Sequence, residues 1–274
     1  MFSVIIPLFN KEQSITTTLE SVLKQSFSEF EVVIINDGST DNSVSKVECF
    51  NDKRIQLRHQ KNSGVSAARN KGIEEAKYDW IVFLDADDIW MENHLSSLKE
   101  MITKFETYSV FCTSYTKAND ITILQDFNFD TIKIVEDYFK EVVKYHFFWT
   151  GVVCIHKKVF QEIGDFNTQL TRGEDLELWL RIGRSFPIIW STHITAIYQQ
   201  DSENKATLSK ENLKKSVIYY LDFKNRSEFE LIYNKQLLRN KIKSLIKQKD
   251  LMNTSKLLIN YNLQVNWLSL FFKK

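Results

Sequence analysis

Three carboxylates stand within four residues at Asp85-Ala86-Asp87-Asp88, directly after the apolar run at 80–84. Clustered carboxylates repel one another unless a cation or basic groups offset their charge. Mg²⁺ and Mn²⁺ take oxygen ligands, and Mg²⁺ typically uses one or two carboxylates together with substrate phosphates. The pattern therefore favours a divalent-metal site, although a solvated helix start just after the cluster would account for one or two of the acids.

A second acidic pair, Glu174-Asp175, begins a helix predicted over 174–185. The helix dipole by itself favours acidic residues at this position. A carboxylate beside a substrate hydroxyl can also act as a general base. Asp175 and Glu174 are therefore the candidate catalytic residues, with simple helix capping as the alternative.

The elements that must position these acids alternate along the first hundred residues. Apolar runs at 2–7, 31–36, 54–58 and 80–84 have strand length and β-branched content, and helix-like stretches at 12–25, 41–50 and 65–76 separate them. This order predicts parallel strands with right-handed crossovers, hence an α/β sheet with helices on both faces. Ligands bind outside the carboxyl ends of such strands, where polar clusters occur at 7–10, 36–41 and 85–88.

Two further motifs lie at this predicted crevice. The stretch NDGSTD at 36–41 is typical of a turn that caps a helix, but the Asp37 carboxylate could also accept a hydrogen bond from a nucleobase imide. The stretch NSGVSAARNKG at 62–72 is a glycine-flanked helix start, and helix N-termini favour anions. Arg69 within it is either a surface arginine or a ligand contact.

The rest of the chain mixes strands and helices and then becomes helical. We expect a helix at 91–105, a strand at 109–115, a strand-to-helix passage at 132–143 and a strand at 149–155. From about Ser209 the pattern is helical to the end. No histidine pair has metal-ligand spacing, and the chain has no serine elbow, Walker loop or dinucleotide fingerprint.

The charge is unevenly distributed along the chain. Residues 205–274 contain 15 Lys and Arg against 5 Asp and Glu, so the totals of 36 and 35 leave 21 against 30 in 1–204. A basic tail suggests an anionic partner such as a phospholipid surface, unless the lysines simply solvate helix surfaces. The segment 267–274, WLSLFFKK, could lie in a membrane interface or form a packing or dimer contact. Nucleic-acid binding is not expected, because the aromatic residues form no stacking platform.

The start of the sequence and the cysteines predict the cellular compartment. No basic segment precedes the first strand, so we expect no signal peptide. The three cysteines have no disulfide-framework or metal-ligand spacing and fit a reducing compartment. We therefore predict a cytoplasmic protein, with peripheral docking on the inner face of the cell membrane as a hypothesis for the tail.

Taken in order, these motifs resemble the inverting nucleotide-sugar glycosyltransferases of family 2, which have the GT-A fold. The resemblance rests on VIIPLFN at 4–10, NDGSTD at 36–41, NSG at 62–64 with ARNKG at 68–72, FLDADD at 83–88, GDF at 164–166, and GED at 173–175 with LWLR at 178–181. It implies a Rossmann-like, mostly parallel sheet flanked by helices. We assign 1–204 to this GT-A domain and 205–274 to a basic helical C-terminal extension.

The resemblance implies a role for each matching residue on the donor side. The nucleotide-sugar-binding positions would be Pro7, Phe9, Asn10, Asp37, Arg69, Asp85, Ala86 and Asp87. Asp37 would take the uracil imide, and Arg69 would lie beside the nucleotide. Asp85 and Asp87 match the family D-x-D for Mn²⁺ or Mg²⁺, with Asp87 the favoured direct ligand. The remaining acid, Asp88, is expected to cap a helix that starts after it.

On the acceptor side, the resemblance implies that Asp175 deprotonates the acceptor hydroxyl and that Glu174 supports it. The residues expected to shape the acceptor side are Tyr115, His146, Trp149, Thr150 and Gly151, with Trp179 holding the helix in place. Many relatives carry Tyr-Arg-x-His after the last strand. This chain has YQQD at 198–201, which puts a third protein ligand for the metal in doubt, although Asp201 is an oxygen ligand that could substitute.

The resulting interpretation is a metal-dependent inverting hexosyl- or N-acetylhexosaminyltransferase. It would move a sugar from a UDP-linked donor to a hydroxyl of a glycan or lipid-linked glycan, in bacterial surface polysaccharide synthesis. A nucleotidyltransferase is the rival, but it would normally carry a glycine-rich phosphate loop after the first strand, where this chain has PLFN at 7–10. A catalytically silent binding module is the other alternative. The sugar, acceptor, linkage and oligomeric state stay open.

Overall fold

The computed structural model describes residues 1–118, 131–199 and 212–261. The strands in this part of the chain are β1 (Phe2–Leu8), β2 (Phe30–Asn36), β3 (Ile55–His59), β4 (Trp80–Phe83), β5 (Ile89–Trp90), β6 (Val110–Lys117), β7 (Ile132–Val135), β8 (Val153–His156) and β9 (Ile188–Tyr198). The α-helices are α1 (Ile15–Leu23), α2 (Ser43–Glu48), α3 (Val65–Glu75), α4 (His94–Lys104), α5 (Tyr138–Val142), α6 (Lys157–Ile163), α7 (Glu174–Ser185), α8 (Glu228–Lys247) and α9 (Leu251–Asn260).

The described strands form one mixed sheet with helices around it. Its order is β3-β2-β1-β4-β8-β6-β9-β5, and β7 pairs with the first part of β9. The four strands from β3 to β4 are mutually parallel, whereas β8 runs antiparallel to β4 and to β6. Strands β1, β2 and β4 are therefore neighbours with their carboxyl ends at one edge. This architecture confirms the predicted α/β class with a GT-A-like sheet.

Strand β2 illustrates why the apolar runs fold as central strands. Val32 and Ile34 face the main core, whereas Val33 and Ile35 pack with Ala68 of helix α3 on the other face of the sheet. A strand buried on both faces needs apolar residues at every position, which is typical of parallel sheets. The continuous run at 31–36 therefore predicts a central strand rather than an edge strand.

The stretch at 149–155 was predicted as one strand, and this prediction is wrong for its first half. Thr150–Val152 form a 3₁₀ turn, and β8 starts only at Val153. The carbonyl of Gly151 accepts a 2.7 Å hydrogen bond from the indole of Trp90. A Cβ at Gly151 would lie 2.5 Å from the ring of Trp149, so the turn requires glycine there. Ring packing thus bends the backbone away from strand geometry.

The prediction that Asp88 caps a helix is also wrong. Residues Ile89 and Trp90 form the short strand β5, which pairs antiparallel with β9. Helix α4 begins later, at His94. The Asp88 carboxylate instead accepts a 2.8 Å hydrogen bond from the backbone N–H of Gln199, just beyond β9. The strand partner of Ile89-Trp90 lies about a hundred residues away in the sequence, so local patterns did not reveal it.

The described part of the C-terminal region is helical, as predicted. Two 3₁₀ turns, Leu213–Lys215 and Val217–Tyr220, precede α8 and α9. The α8 residues Tyr233, Leu238 and Ile242 belong to the same buried core as the sheet. The predicted boundary between 204 and 205 and the segment 267–274 lie outside the described residues.

One ion pair and one aromatic contact hold α8 against the rest of the fold. Glu230 on α8 accepts a 2.6 Å hydrogen bond from Arg184 on α7. The ring of Tyr233 meets the ring of Tyr138 on α5 edge to face, with their centroids 6.3 Å apart. Among the described helices, none has both the length and the apolar composition needed to cross a bilayer.

Candidate active site

The carboxylates after β4 are held by two basic residues from other elements. Asp87 Oδ2 accepts a 2.6 Å hydrogen bond from Lys11 Nζ, and Asp85 Oδ1 accepts one of 2.8 Å from an Arg69 guanidinium nitrogen. Lys11 follows β1 and Arg69 lies in α3, so three neighbouring elements meet at this edge of the sheet. The positive charges offset the repulsion that the sequence alone left unexplained.

Asp88 differs from the other two acids because it is buried. Its side chain is 1% exposed, and its Oδ2 has no hydrogen-bond partner among the described residues. Burial, followed by the charges of Asp85 and Asp87, raises the pKa of Asp88 to about 9. Burial of Asp88 therefore favours the protonated form of its carboxyl group.

Arg69 joins the strand-end acids to the second acidic pair. One guanidinium nitrogen contacts Asp85, and the other lies 3.2 Å from Glu174 Oε1. The side chain is buried and lies over the ring of Phe166, with Cζ 5.2 Å from the ring centroid. Burial alone lowers the pKa of Arg69, but Asp85, Glu174 and Asp175 together raise it, so the guanidinium stays charged. Arg69 thereby fixes the separation between the two acidic motifs.

Glu174 and Asp175 occupy the first turn of α7. The helix begins at Gly173, whose φ of 67° is left-handed and whose added Cβ would lie 2.5 Å from Val217. Burial raises the pKa of both carboxyl groups, and the charge of Asp175 raises that of Glu174 further. A general base is most effective when its pKa lies near the working pH, and a raised pKa brings a carboxylate closer to that value.

Asp37 lies at the carboxyl end of β2 and organises the loop before α3. Its oxygens accept hydrogen bonds from the Gln60 side chain at 2.7 Å and from the backbone N–H groups of Ser63 and Gly64 at 2.8 and 2.9 Å. A carboxylate has about four acceptor sites. A nucleobase imide would therefore share Asp37 with these donors, which lie before α3 and not at α2, the helix that follows the turn at 36–41.

The predicted base-binding residues after β1 surround the same edge. Pro7 is paired with Ile35 in the β1–β2 ladder, and Phe9 is 41% exposed. Asn10 has a positive φ of 50°, and its Oδ1 accepts a 2.7 Å hydrogen bond from the backbone N–H of Thr40. This turn leaves Phe9 exposed to a planar ligand, one residue after Leu8, whose carbonyl accepts a hydrogen bond from the Asp37 N–H.

A pocket of about 390 Å³ adjoins Asp175. Of the residues expected on the acceptor side, His146, Trp149 and Trp179 line it. Thr150 and Gly151 lie behind Trp149, with Thr150 1% exposed. Tyr115 supports the wall by packing its ring 4.8 Å from that of Trp149 and by bonding its hydroxyl to His146.

The D-x-D residues have the chemistry of a divalent-metal site. Asp85 and Asp87 each have one carboxylate oxygen on a basic group, which leaves their second oxygens for a hard cation. Ala86 is buried between them, and its carbonyl accepts from Ser14. Within the described residues no group of three or more His, Cys, Asp or Glu could hold a metal ion. Ligands from the substrate would have to complete the coordination shell.

The sequence analysis did not identify two sets of residues that contribute to the site. Lys11 was not singled out, although a lysine directly after Asn10 at a strand end is a signal that could have found it. The pocket wall also includes Tyr233, Gln236 and Asn240 of α8. Nothing in their helical spacing distinguishes them from ordinary packing or surface residues.

Carboxylates and an arginine thus lie at the carboxyl ends of parallel strands, next to a pocket that Asp175 lines. The sequence profile of "Glycosyl transferase family 2" matches residues 3–164, more than half of the chain. The chain therefore belongs to glycosyl transferase family 2.

Curated relatives share parts of this sequence. An "Uncharacterized glycosyltransferase" of Rickettsia bellii is 35% identical over 185 residues, which are 66% of this chain and 26% of that protein. The Escherichia coli WfgD, a "UDP-Glc:alpha-D-GlcNAc-diphosphoundecaprenol beta-1,3-glucosyltransferase", is 38% identical over 38% of this chain and 42% of its own length. The chain thus spans less than half the length of these relatives.

Solved structures share the fold. S. aureus TarS, residues 1–349 in complex with UDP-GlcNAc, superposes with a TM-score of 0.68 at 19% identity, over 99% of this chain and 76% of that one. The mannosyltransferase PcManGT of Pyrobaculum calidifontis, in complex with GDP-Man and Mn²⁺, gives a TM-score of 0.56 at 18% identity, over 72% and 56% of the two chains.

Proposed function

We propose that the protein is an inverting transferase that uses a UDP-linked sugar. The bridge by Arg69 between Asp85 and Glu174 is the observation that carries this proposal, because it joins the strand-end acids to the acceptor-side helix. The nucleotide would lie over Phe9, with its base at Asp37 and its diphosphate near Asp85 and Asp87. The UDP ligands of TarS and the UDP-glucose in the name of WfgD support this class of donor.

The proposed reaction is a single displacement at the anomeric carbon. Asp175 takes the proton of the acceptor hydroxyl as its oxygen attacks C1, and the bond from C1 to the UDP oxygen breaks on the opposite face. The sugar arrives with inverted configuration, so an α-linked donor gives a β-linkage. Glu174 holds the Asp175 end of α7 in place through its ion pair with Arg69.

Asp85 and Asp87 would hold Mn²⁺ or Mg²⁺ with the donor diphosphate. A bound divalent cation supplies charge stabilisation for the departing diphosphate. The Mn²⁺ in the PcManGT structure supports this choice of ion. Gln199 is tied to Asp88 through its backbone, and 200–201 lie outside the described residues, so a further protein ligand stays a hypothesis.

The acceptor is proposed to be a glycan or lipid-linked glycan of the bacterial surface, receiving a hexosyl or N-acetylhexosaminyl unit. The diphosphoundecaprenol acceptor in the name of WfgD supports this choice. The candidate base at a pocket large enough for a small ligand is the structural argument for an acceptor hydroxyl there.

Removal of the metal or of Asp87 is expected to abolish activity. A panel of UDP- and GDP-sugars, incubated with Mn²⁺, should show hydrolysis of a UDP-sugar that falls at least about a hundredfold with EDTA or in Asp87→Ala, because the leaving-group charge is no longer offset. UDP release measured by a coupled assay is the readout. Asp165→Ala is the matched control, since this partly exposed acid lies outside the cluster.

Full hydrolysis in EDTA would exclude the metal assignment. Binding of UDP without any hydrolysis or transfer would instead favour the silent binding module.

We also propose that α8 and α9 dock on an anionic membrane at the inner face of the cell. The end of α8 and the start of α9 expose apolar side chains beside lysines: Ile246 is 52% exposed, Leu251 71% and Met252 58%, next to Lys247 and Lys249. Apolar groups that insert into the interface and cations that face anionic lipid are the two contributions peripheral binding needs.

Co-sedimentation with vesicles tests this docking. Leu251→Ser/Met252→Ser should lower binding to phosphatidylglycerol vesicles at least about fivefold, because two exposed apolar side chains that would insert into the bilayer are lost. Neutral phosphatidylcholine vesicles and Ile232→Ser, an exposed isoleucine at the other end of α8, are the controls. Equal binding to the anionic and the neutral vesicles would contradict the proposed attraction between the lysines and anionic lipid. Unchanged binding of the double variant would show that Leu251 and Met252 are not the docking site. Deletion of 262–274 measures the separate contribution of that segment.

A further inference from the structure

Helix α8 forms one wall of the pocket beside Asp175. It contributes Tyr233, Gln236, Leu237 and Asn240, opposite the start of α7. The family profile ends at residue 164, so this wall lies outside the part of the chain that the family match covers.

The chemistry of the wall suits a sugar ring. Five aromatic residues line the pocket: Tyr138, Phe148, Trp149, Trp179 and Tyr233. Tyr138, Phe148, Trp179 and Tyr233 are at most 6% exposed and form the packed back of the wall, whereas Trp149 is only partly buried and its ring can meet the C–H groups of a pyranose. A few polar groups among apolar walls are typical of small-ligand sites.

The polar groups of the wall are two unengaged amides. Within the described part of the chain, no residue hydrogen-bonds the side chains of Gln236 or Asn240. A side-chain amide both donates and accepts hydrogen bonds, which matches the hydroxyl groups of a sugar. Unlike these two, Asn234 on the same helix already donates to the carbonyl of Asp222.

The charge of the pocket restricts what can enter. Asp175 is the acid on its wall, and neither lysine nor arginine occurs among the described lining residues. Burial lowers the pKa of His146, which keeps this imidazole neutral at pH 7. An anionic group in the pocket would therefore lie beside the Asp175 carboxylate, whose nearby cation, Arg69, is not among the described lining residues and already pairs with Asp85 and Glu174.

We infer that this pocket is the subsite for an uncharged sugar unit of the acceptor, and that Gln236 and Asn240 of α8 select it by hydrogen-bonding its hydroxyls. The inference rests on the proposed function, since it assigns the acceptor of that reaction. Acceptors whose receiving unit is a uronic acid or a polyol phosphate are disfavoured. A lipid diphosphate, where present, lies outside the pocket.

The acceptor preference is measured with pairs of phenyl glycosides that differ in one charge. Each neutral hexoside is compared with its uronic acid, and glycerol 3-phosphate is added as a polyol phosphate. We expect the neutral member to be used at least about tenfold better, and Gln236→Arg to reverse or narrow this ratio by supplying a cation. Equal or better use of the acids, or no binding of any neutral member in saturation-transfer NMR with UDP present, would overturn the inference.

The role of the two amides is measured by steady-state kinetics. Gln236→Ala and Asn240→Ala should each raise the acceptor KM about tenfold, the effect of one lost hydrogen bond, against less than about a twofold change in the donor KM. Gln248→Ala is the matched control, because this exposed glutamine at the end of α8 bonds only the nearby Ser244 hydroxyl among the described residues. Thermal unfolding of each variant checks that the helix is intact.

The two proposals fail in different ways. A wild-type enzyme that hydrolyses no nucleotide sugar and transfers none contradicts the proposed function itself. An active enzyme whose acceptor KM does not change in Gln236→Ala and Asn240→Ala contradicts only the subsite.

Discussion

Replacing Arg69 with methionine should lower the free energy of unfolding by about 3 kcal/mol, because removal of one partner leaves buried charge uncompensated. Arg69 is 3% exposed and serves both Asp85 and Glu174. This loss of stability is at the lower end of what is usual when one partner of a buried ion pair is removed, because the Asp85 side chain is still 31% exposed. Urea denaturation followed by circular dichroism measures the change.

The same replacement should reduce sugar transfer at least about a hundredfold, because displacement of catalytic groups by about 1 Å has effects of this size. Without the guanidinium, Asp85 and Glu174 are no longer held at a fixed separation. Arg69→Lys should recover part of the stability but little of the activity, since an ammonium is a point charge and cannot reproduce the two-pronged contact.

Arg58→Met is the matched control for both measurements. Arg58 forms an exposed pair with Glu75, with 43% of its side chain accessible, and such pairs contribute at most about 1 kcal/mol. An Arg69→Met protein that is as stable and as active as Arg58→Met would show that the bridge has no role in positioning the acids.

Replacing Asp175 with asparagine should lower the rate of transfer by about 10² to 10⁴, the usual contribution of a general base. The amide oxygen can still accept the 2.7 Å hydrogen bond that Asp175 Oδ1 receives from the N–H of Leu176, so the start of α7 should be preserved. The donor KM should stay near that of the wild type. Initial rates with a saturating acceptor give the comparison.

The pH profile gives a second test of Asp175. Burial raises its pKa, so the fraction of carboxylate falls as the pH drops through a value above the usual range for aspartate. The transfer rate of the wild type should therefore rise with pH through that value and then level off, whereas Asp175→Asn should lack this limb. Glu177→Gln, which alters an acid paired with Arg181 on the same helix, should keep it. A profile shared by all three proteins would assign the limb to another group.

The positions of the strand ends could be predicted because they follow from the local pattern of apolar and polar residues. The run at 32–35 contains an apolar residue at every position, which is typical of a strand buried on both faces. Parallel order then brings the residues after β1, β2 and β4 to one edge. The acids at 85–87 and the motif at 36–41 could therefore be placed together from the sequence.

The errors arose where distant residues decide the local structure. The turn at Thr150–Val152 depends on how Trp149 and Trp90 pack around Gly151, and β5 forms because β9 offers it a partner. Neither partner lies within a short window of neighbouring residues. Local patterns therefore predicted a strand at 149–155 and a helix start after Asp88.

By itself, the sequence determined the α/β class, the parallel pairing of the first strands and the acids that stand at their ends, because these depend on the pattern of apolar and polar side chains along each element. The tertiary structure decided the ionisation and the separation of those acids. The pKa of Asp88 is raised because the fold buries its carboxyl group, and Arg69 reaches Glu174 across 105 positions of the chain. Burial and ion pairing depend on which distant side chains pack together, and that information is absent from any single motif.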